Sequence, residues 1–88
     1  MIILPNLCDD ILRAAYNCFY KGGVTVSVRY DAFCRDNHIR YVNDAQLSMA
    51  MDSLKNDGYI DITPFIGNSG SIDGITAAGV NYVETMLR

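Results

Sequence analysis

Asn43-Asp44-Ala45-Gln46-Leu47-Ser48-Met49-Ala50-Met51-Asp52-Ser53-Leu54-Lys55-Asn56-Asp57-Gly58-Tyr59-Ile60 is the stretch on which the fold turns. Asn43 offers a side-chain acceptor at a helix start, and Gln46, three residues on, completes a capping-box-like pattern. Leu47, Ala50, Met51 and Leu54 then recur at the spacing of one helical face. Gly58 can supply the left-handed position that ends such a helix. Beyond it the apolar period drops from 3.6 to 2, because Tyr59-Ile60-Asp61-Ile62-Thr63 alternates as a half-buried strand. The reading is a helix, a glycine stop and a strand.

Downstream, Pro64 to Gly70 reads as a loop and Ser71-Ile72-Asp73-Gly74-Ile75 as the return strand of a hairpin. Thr76 is placed to cap a last helix in which Val80, Val83 and Leu87 share a face, widened by Tyr82 and Met86. Upstream, Pro5-Asn6 opens a first helix with Asn6 as its N-cap, and Gly22-Gly23 closes it. Leu7, Ile11, Ala14 and Cys18 form one apolar strip on it, and Leu12, Tyr16 and Phe19 a second. A helix so broadly apolar is packed on two sides, within the domain or at a dimer seam. Val24-Thr25-Val26 is β-prone. Ser27 is the expected cap of a second helix running to about Asn37, with Ala32 and Phe33 inward, and His38 to Val42 reads as a turn.

Two of these segments carry a family resemblance. Leu54-Lys55-Asn56-Asp57-Gly58-Tyr59-Ile60 resembles the L-x-x-x-G-[YLF]-I run of the winged helix-turn-helix superfamily, which joins the recognition helix to the first wing strand. Ile75-Thr76-Ala77-Ala78-Gly79-Val80-Asn81-Tyr82-Val83-Glu84 resembles the L-T-x-x-G-x-x-Y-L-E segment that starts the final helix in many bacterial members. The implied fold is mainly α with a small β component. It has a three-helix core, a two-stranded antiparallel wing and a C-terminal helix, in a single domain over residues 1–88.

What the resemblance implies is a small cytoplasmic transcriptional regulator of bacterial or phage type that binds double-stranded DNA as a homodimer. Arg29, Arg35 and Arg40 would grip phosphate, while Asn43, Gln46, Ser48, Met49 and Ser53 of the recognition helix face base edges. The residues depart from that pattern in charge. Helical geometry turns Ala45, Met49, Asp52 and Asn56 outward, a strip with one carboxylate and no cation. The Pro64–Gly70 wing has neither Arg nor Lys. A second reading therefore stands beside the first: an acidic winged-helix module that binds a protein through Phe65, Ile66 and Asn68 of the wing. Phe65 and Ile66 are expected to fold back onto the body, and to form an adhesive patch if they remain exposed.

Composition bounds the rest. The chain has 88 residues, half of them hydrophobic, and a net charge of −3 from nine Asp, one Glu, five Arg and two Lys. That size allows one modest core, and bulk charge does not favour a polyanion. Asp9 and Asp10 interrupt the apolar start well short of the ~20 residues of a membrane span. Cys8, Cys18 and Cys34 cannot all pair within one chain, and reduced thiols suit the cytoplasm. Cys34 and His38 have a metal-compatible i, i+4 spacing, but two further ligands are missing, so neither metal nor cofactor is expected. No nucleophile, base and orienting group occur together, so no enzyme is expected.

Overall fold

The computed structural model describes residues 4–87. Helix α1 spans Leu4–Ala15 and continues through a wider, π-helical stretch over Tyr16–Lys21. Strand β1 is Val28–Arg29, α2 is Tyr30–Asp36, and α3 is Asp44–Asn56. Strands β2 (Ile60–Pro64) and β3 (Gly70–Ile75) form a hairpin, followed by α4 (Ala77–Tyr82), whose end also widens to π geometry over Val83–Leu87. The architecture is mainly helical, with a small antiparallel sheet in the order β1-β3-β2.

Helix α3 forms as its sequence dictates. The Gln46 N–H donates to Asn43 Oδ1 at 2.9 Å, and the Gln46 side-chain oxygen accepts from the Val42 N–H at 2.7 Å. Two end groups are thereby satisfied reciprocally. At the other end Gly58 has φ +82°, and the Gly58 and Tyr59 N–H groups donate to the Lys55 and Leu54 carbonyls at 2.9 and 3.0 Å. This is a Schellman closure, with the glycine where a Cβ is least tolerated. Leu47, Ala50, Met51 and Leu54 are buried, as their spacing requires. They meet Leu7, Ile11 and Leu12 of α1, Phe33 of α2, and Ile60, Ile62 and Ile72 of the sheet in one core.

Three expectations are corrected. First, the sheet has three strands rather than two, because Val28 and Arg29 pair with Ile72 and Ser71 of β3. The β-prone Val24–Val26 stretch stays outside it; the Val24 N–H is occupied by the Cys18 carbonyl at 3.0 Å. Second, Ser27 does not cap α2. Arg29 holds the N-cap position without a side-chain bond, and the Ser27 hydroxyl donates instead to Asp73 Oδ1 at 2.6 Å. Third, Asn6 does not cap α1 but lies within it, since the described helix already covers Leu4 and Pro5. Of the two settings open to the broad apolar face of α1, the domain's own core takes most of it: Leu7, Ile11, Leu12, Ala14 and Tyr16 are all buried. Tyr82 likewise stacks on Tyr59, with ring centroids 4.8 Å apart.

The turn after α2 carries local strain. His38 has φ +57°, the left-handed region that penalises a Cβ, and its side chain is exposed. His38→Gly is expected to stabilise the domain by about 1 kcal/mol, read as a higher urea midpoint at unchanged slope. A lower midpoint would show that the imidazole makes a stabilising contact outweighing the strain.

Candidate functional site

The two motifs that frame the hairpin dock on each other, and this docking sets where the hairpin stands relative to α3. The Thr76 hydroxyl donates to the Gly58 carbonyl at 2.6 Å and accepts from the Gly79 N–H at 3.0 Å. The Thr76 N–H donates to the Tyr59 carbonyl at 3.0 Å. Thr76 therefore caps α4 and ties it to the α3–β2 junction in one step.

With its apolar side buried, α3 turns Ala45, Met49, Asp52 and Asn56 to solvent, while Gln46, Ser48 and Ser53 lie half-exposed at the flanks. These positions match the sequence-derived assignment, and Asp44 and Lys55 of the same helix are exposed as well. Asn43 and Gln46 have another occupation: both oxygens are engaged in the cap. Ser48, Met49 and Ser53 are left as the outward neutral side chains of the set, beside Asp52.

The three arginines do not form one band. Arg29 lines a small cleft of about 100 Å³ between the starts of α2 and α3 and the hairpin loop, which Asn68 and Ser69 also line. Asp31 and Asp44 line the same cleft, and Arg29 Nε lies 3.5 Å from Asp31 Oδ1. Arg35 belongs to the other end of α2, with Nε 3.6 Å from Asp36 Oδ1. Arg40, in the turn before α3, is exposed and makes no ion pair among the described residues. The structure brings Arg29 and Asn68 together and leaves Arg35 and Arg40 apart from them.

The hairpin tip departs from its expectation. Ile66 is 99% exposed and Phe65 46%, so neither folds fully onto the body. The loop closes on itself instead: the Phe65 N–H donates to the Ser69 carbonyl at 2.9 Å, and the Ser69 hydroxyl to that of Ile66 at 3.2 Å.

One polar cluster had no sequence signal. In the β2–β3 ladder Asp61 pairs with Gly74 but Ile62 with Ile72, so Asp73 is the extra residue of a bulge. Its carboxylate accepts from the Ser27 and Thr63 hydroxyls at 2.6 Å each and from Ser71 at 3.2 Å. Those donors, Ser27 and Thr63 first, hold the Asp73 carboxyl below the usual carboxylate range. A lowered folded-state value means that the contribution is full above the unfolded value of about 3.9 and is lost as the pH falls through the lower folded value. Asp73→Asn is expected to flatten that acid limb in urea unfolding below about pH 4, and an unchanged limb would refute the assignment. Only Gly74 inside a strand pattern hints at such a bulge.

Nearby, the Tyr30 hydroxyl is buried without a hydrogen-bond partner among the described residues. Burial, then the Asp52 and Asp73 charges, push it up to about 12. Cys34 is fully buried, its thiol also pushed up to about 12 by burial and Asp31, whereas His38 is exposed, so the two do not share a ligand site. No three His, Cys, Asp or Glu side chains converge on a metal position among the described residues. No described helix is long and apolar enough to cross a membrane. In comparisons with known proteins, no family model, no curated protein and no solved structure matches this chain.

Proposed function

We propose that the chain is a winged helix-turn-helix module that binds a protein partner through the outward face of α3 and the β2–β3 hairpin tip. The module assignment is supported by the element order, the β1-β3-β2 sheet and the α2–turn–α3 layout. The observation that carries the partner class is electrostatic. The exposed side of α3 presents Asp44 and Asp52 against a single cation, Lys55, and the hairpin holds Ile66 wholly in solvent. A duplex would face a carboxylate where phosphate neutralisation demands lysine or arginine. A protein surface with an apolar pocket and a basic rim would be complemented.

A second reading, the homodimeric DNA-binding regulator, has one observation in its favour. The Arg29 and Arg35 pairs are exposed, and such pairs contribute little. Both arginines can exchange their Asp partners for phosphate alongside Arg40.

One pair of measurements separates the readings. Affinity for random duplex at low salt is expected to be undetectable. DNA binding through six phosphates per dimer would instead give a log–log salt slope of about −5 and overturn the protein reading. Capture of a defined partner from a lysate of the source cells is expected to be lost in Ile66→Asp and in Asp52→Lys, both fully surface changes. Capture surviving both would remove this face as the interface.

A further inference from the structure

A second cavity, of about 290 Å³, opens between the first half of α1, the end of α3 and α4. Cys8, Asp9, Ser53, Asp57, Tyr59 and Tyr82 surround it over Leu12 and Leu54. Its size is that of a site for a ligand's head group rather than a whole cofactor. No Lys, Arg or His is among these residues, and neither Asp9 nor Asp57 makes an ion pair with a described residue. The two tyrosine rings stack 25° from parallel, forming a braced aromatic wall.

We propose that this cavity binds a guanidinium or alkylammonium group, with Asp9 and Asp57 as its counter-charges and the Tyr59–Tyr82 pair as its aromatic wall. Three features converge on that class. Two carboxylates left without a cationic partner favour a positive group between them, and a partly enclosed cavity screens that attraction less than open water. Aromatic rings attract cations through their quadrupole, and a guanidinium stacks on them as well. No three His, Cys, Asp or Glu side chains converge on a metal position among the described residues, so an organic cation fits the lining better than a hard metal. The Cys8 thiol records the field inside the cavity: burial raises its proton affinity first, and the Asp9 and Asp57 charges raise it further. Both carboxylates therefore act on the same small volume.

The cation can arrive as a free amine or as the side chain of a bound protein, and the chemistry is shared. It does not depend on what the outward face of α3 engages.

Titration of the ¹⁵N-labelled chain with agmatine tests the site. Saturable shifts are expected at Cys8, Asp9, Ser53, Asp57, Tyr59 and Tyr82, with none from uncharged n-butylurea. Asp9→Asn and Asp57→Asn should each weaken binding about three- to fivefold, and the double variant should abolish it. Both side chains reach solvent, so the amides should keep the fold, and the single variants carry the test if the double variant's spectrum changes elsewhere. A blocked Gly-Gly-Arg-Gly-Gly peptide binding more tightly than agmatine would identify a partner's arginine as the source, and the reverse order a free amine. Absence of saturable shifts with both probes would overturn the proposal. So would equal shifts with n-butylurea, or undiminished binding in the variants.

Discussion

Gly79→Ala is expected to destabilise the domain by about 3 kcal/mol, although it adds a single methyl group to a helix. Alanine is the better helix former, so propensity alone predicts a gain of up to about 1 kcal/mol. Geometry reverses the sign. A Cβ at Gly79 would be driven into the Tyr59 carbonyl oxygen and would lie 2.8 Å from Ile75 Cγ1. The oxygen cannot retreat freely, because it already accepts the Thr76 N–H at 3.0 Å, and the neighbouring Gly58 carbonyl accepts the Thr76 hydroxyl. Relieving the clash means lifting α4 off the α3–β2 junction. Gly58→Ala is the control: nothing lies within 4 Å of its Cβ position, so only the φ of +82° opposes it. That change should cost about 1–2 kcal/mol. Urea unfolding of both variants is the measurement, and a Gly79→Ala cost no greater than that of Gly58→Ala would refute the close approach.

Phe33→Ala is expected to cost about 3–5 kcal/mol, against a total stability of roughly 4–13 kcal/mol for a chain of this length. Phe33 is fully buried, and its ring lies nearly parallel to Phe19 with centroids 6.3 Å apart. Helix α2 has only seven residues, well below the ~12–15 at which an isolated helix becomes even marginal. It exists because Tyr30, Phe33 and Cys34 anchor it. Without the phenyl ring α2 should fray before α3 does, and the turn that delivers the chain to Asn43 should loosen with it. Amide exchange would show protection lost in Tyr30–Asp36 ahead of Asp44–Asn56. A loss below about 1.5 kcal/mol with α2 still protected would assign the anchoring to Tyr30 and Cys34 instead.

Helix α3 was legible in the sequence residue by residue, because its determinants are local. A cap at Asn43, a glycine at position 58 and four core residues at helical spacing all lie within one short segment. The change of period at Tyr59 marked the hairpin for the same reason. Strand β1 was not legible: two residues carry no periodicity, and Val28 and Arg29 become a strand only because the edge of β3 is there to pair with them. The Ser27 misassignment has the same origin, since a serine before a helix-forming run is a good local cap until a distant carboxylate competes for its hydroxyl. Likewise no pattern within the hairpin separates Ile66 in solvent from Ile66 folded onto the body.

By itself, then, the sequence determined the longer helices α1 and α3, the hairpin, the buried face of α3 and the acidic character of its other face. Each follows from backbone propensity and apolar period over a few neighbouring residues. Only the tertiary structure decided that Arg29 joins Asn68 while Arg35 and Arg40 stand apart. It also decided that Ser27, Thr63 and Ser71 surround Asp73, and that Asp9 and Asp57 share a cavity with a tyrosine stack. Those juxtapositions bring together residues far apart in the chain. They are set by how whole elements pack, through strand register and the close approach at Gly79, and no local rule of sequence encodes them.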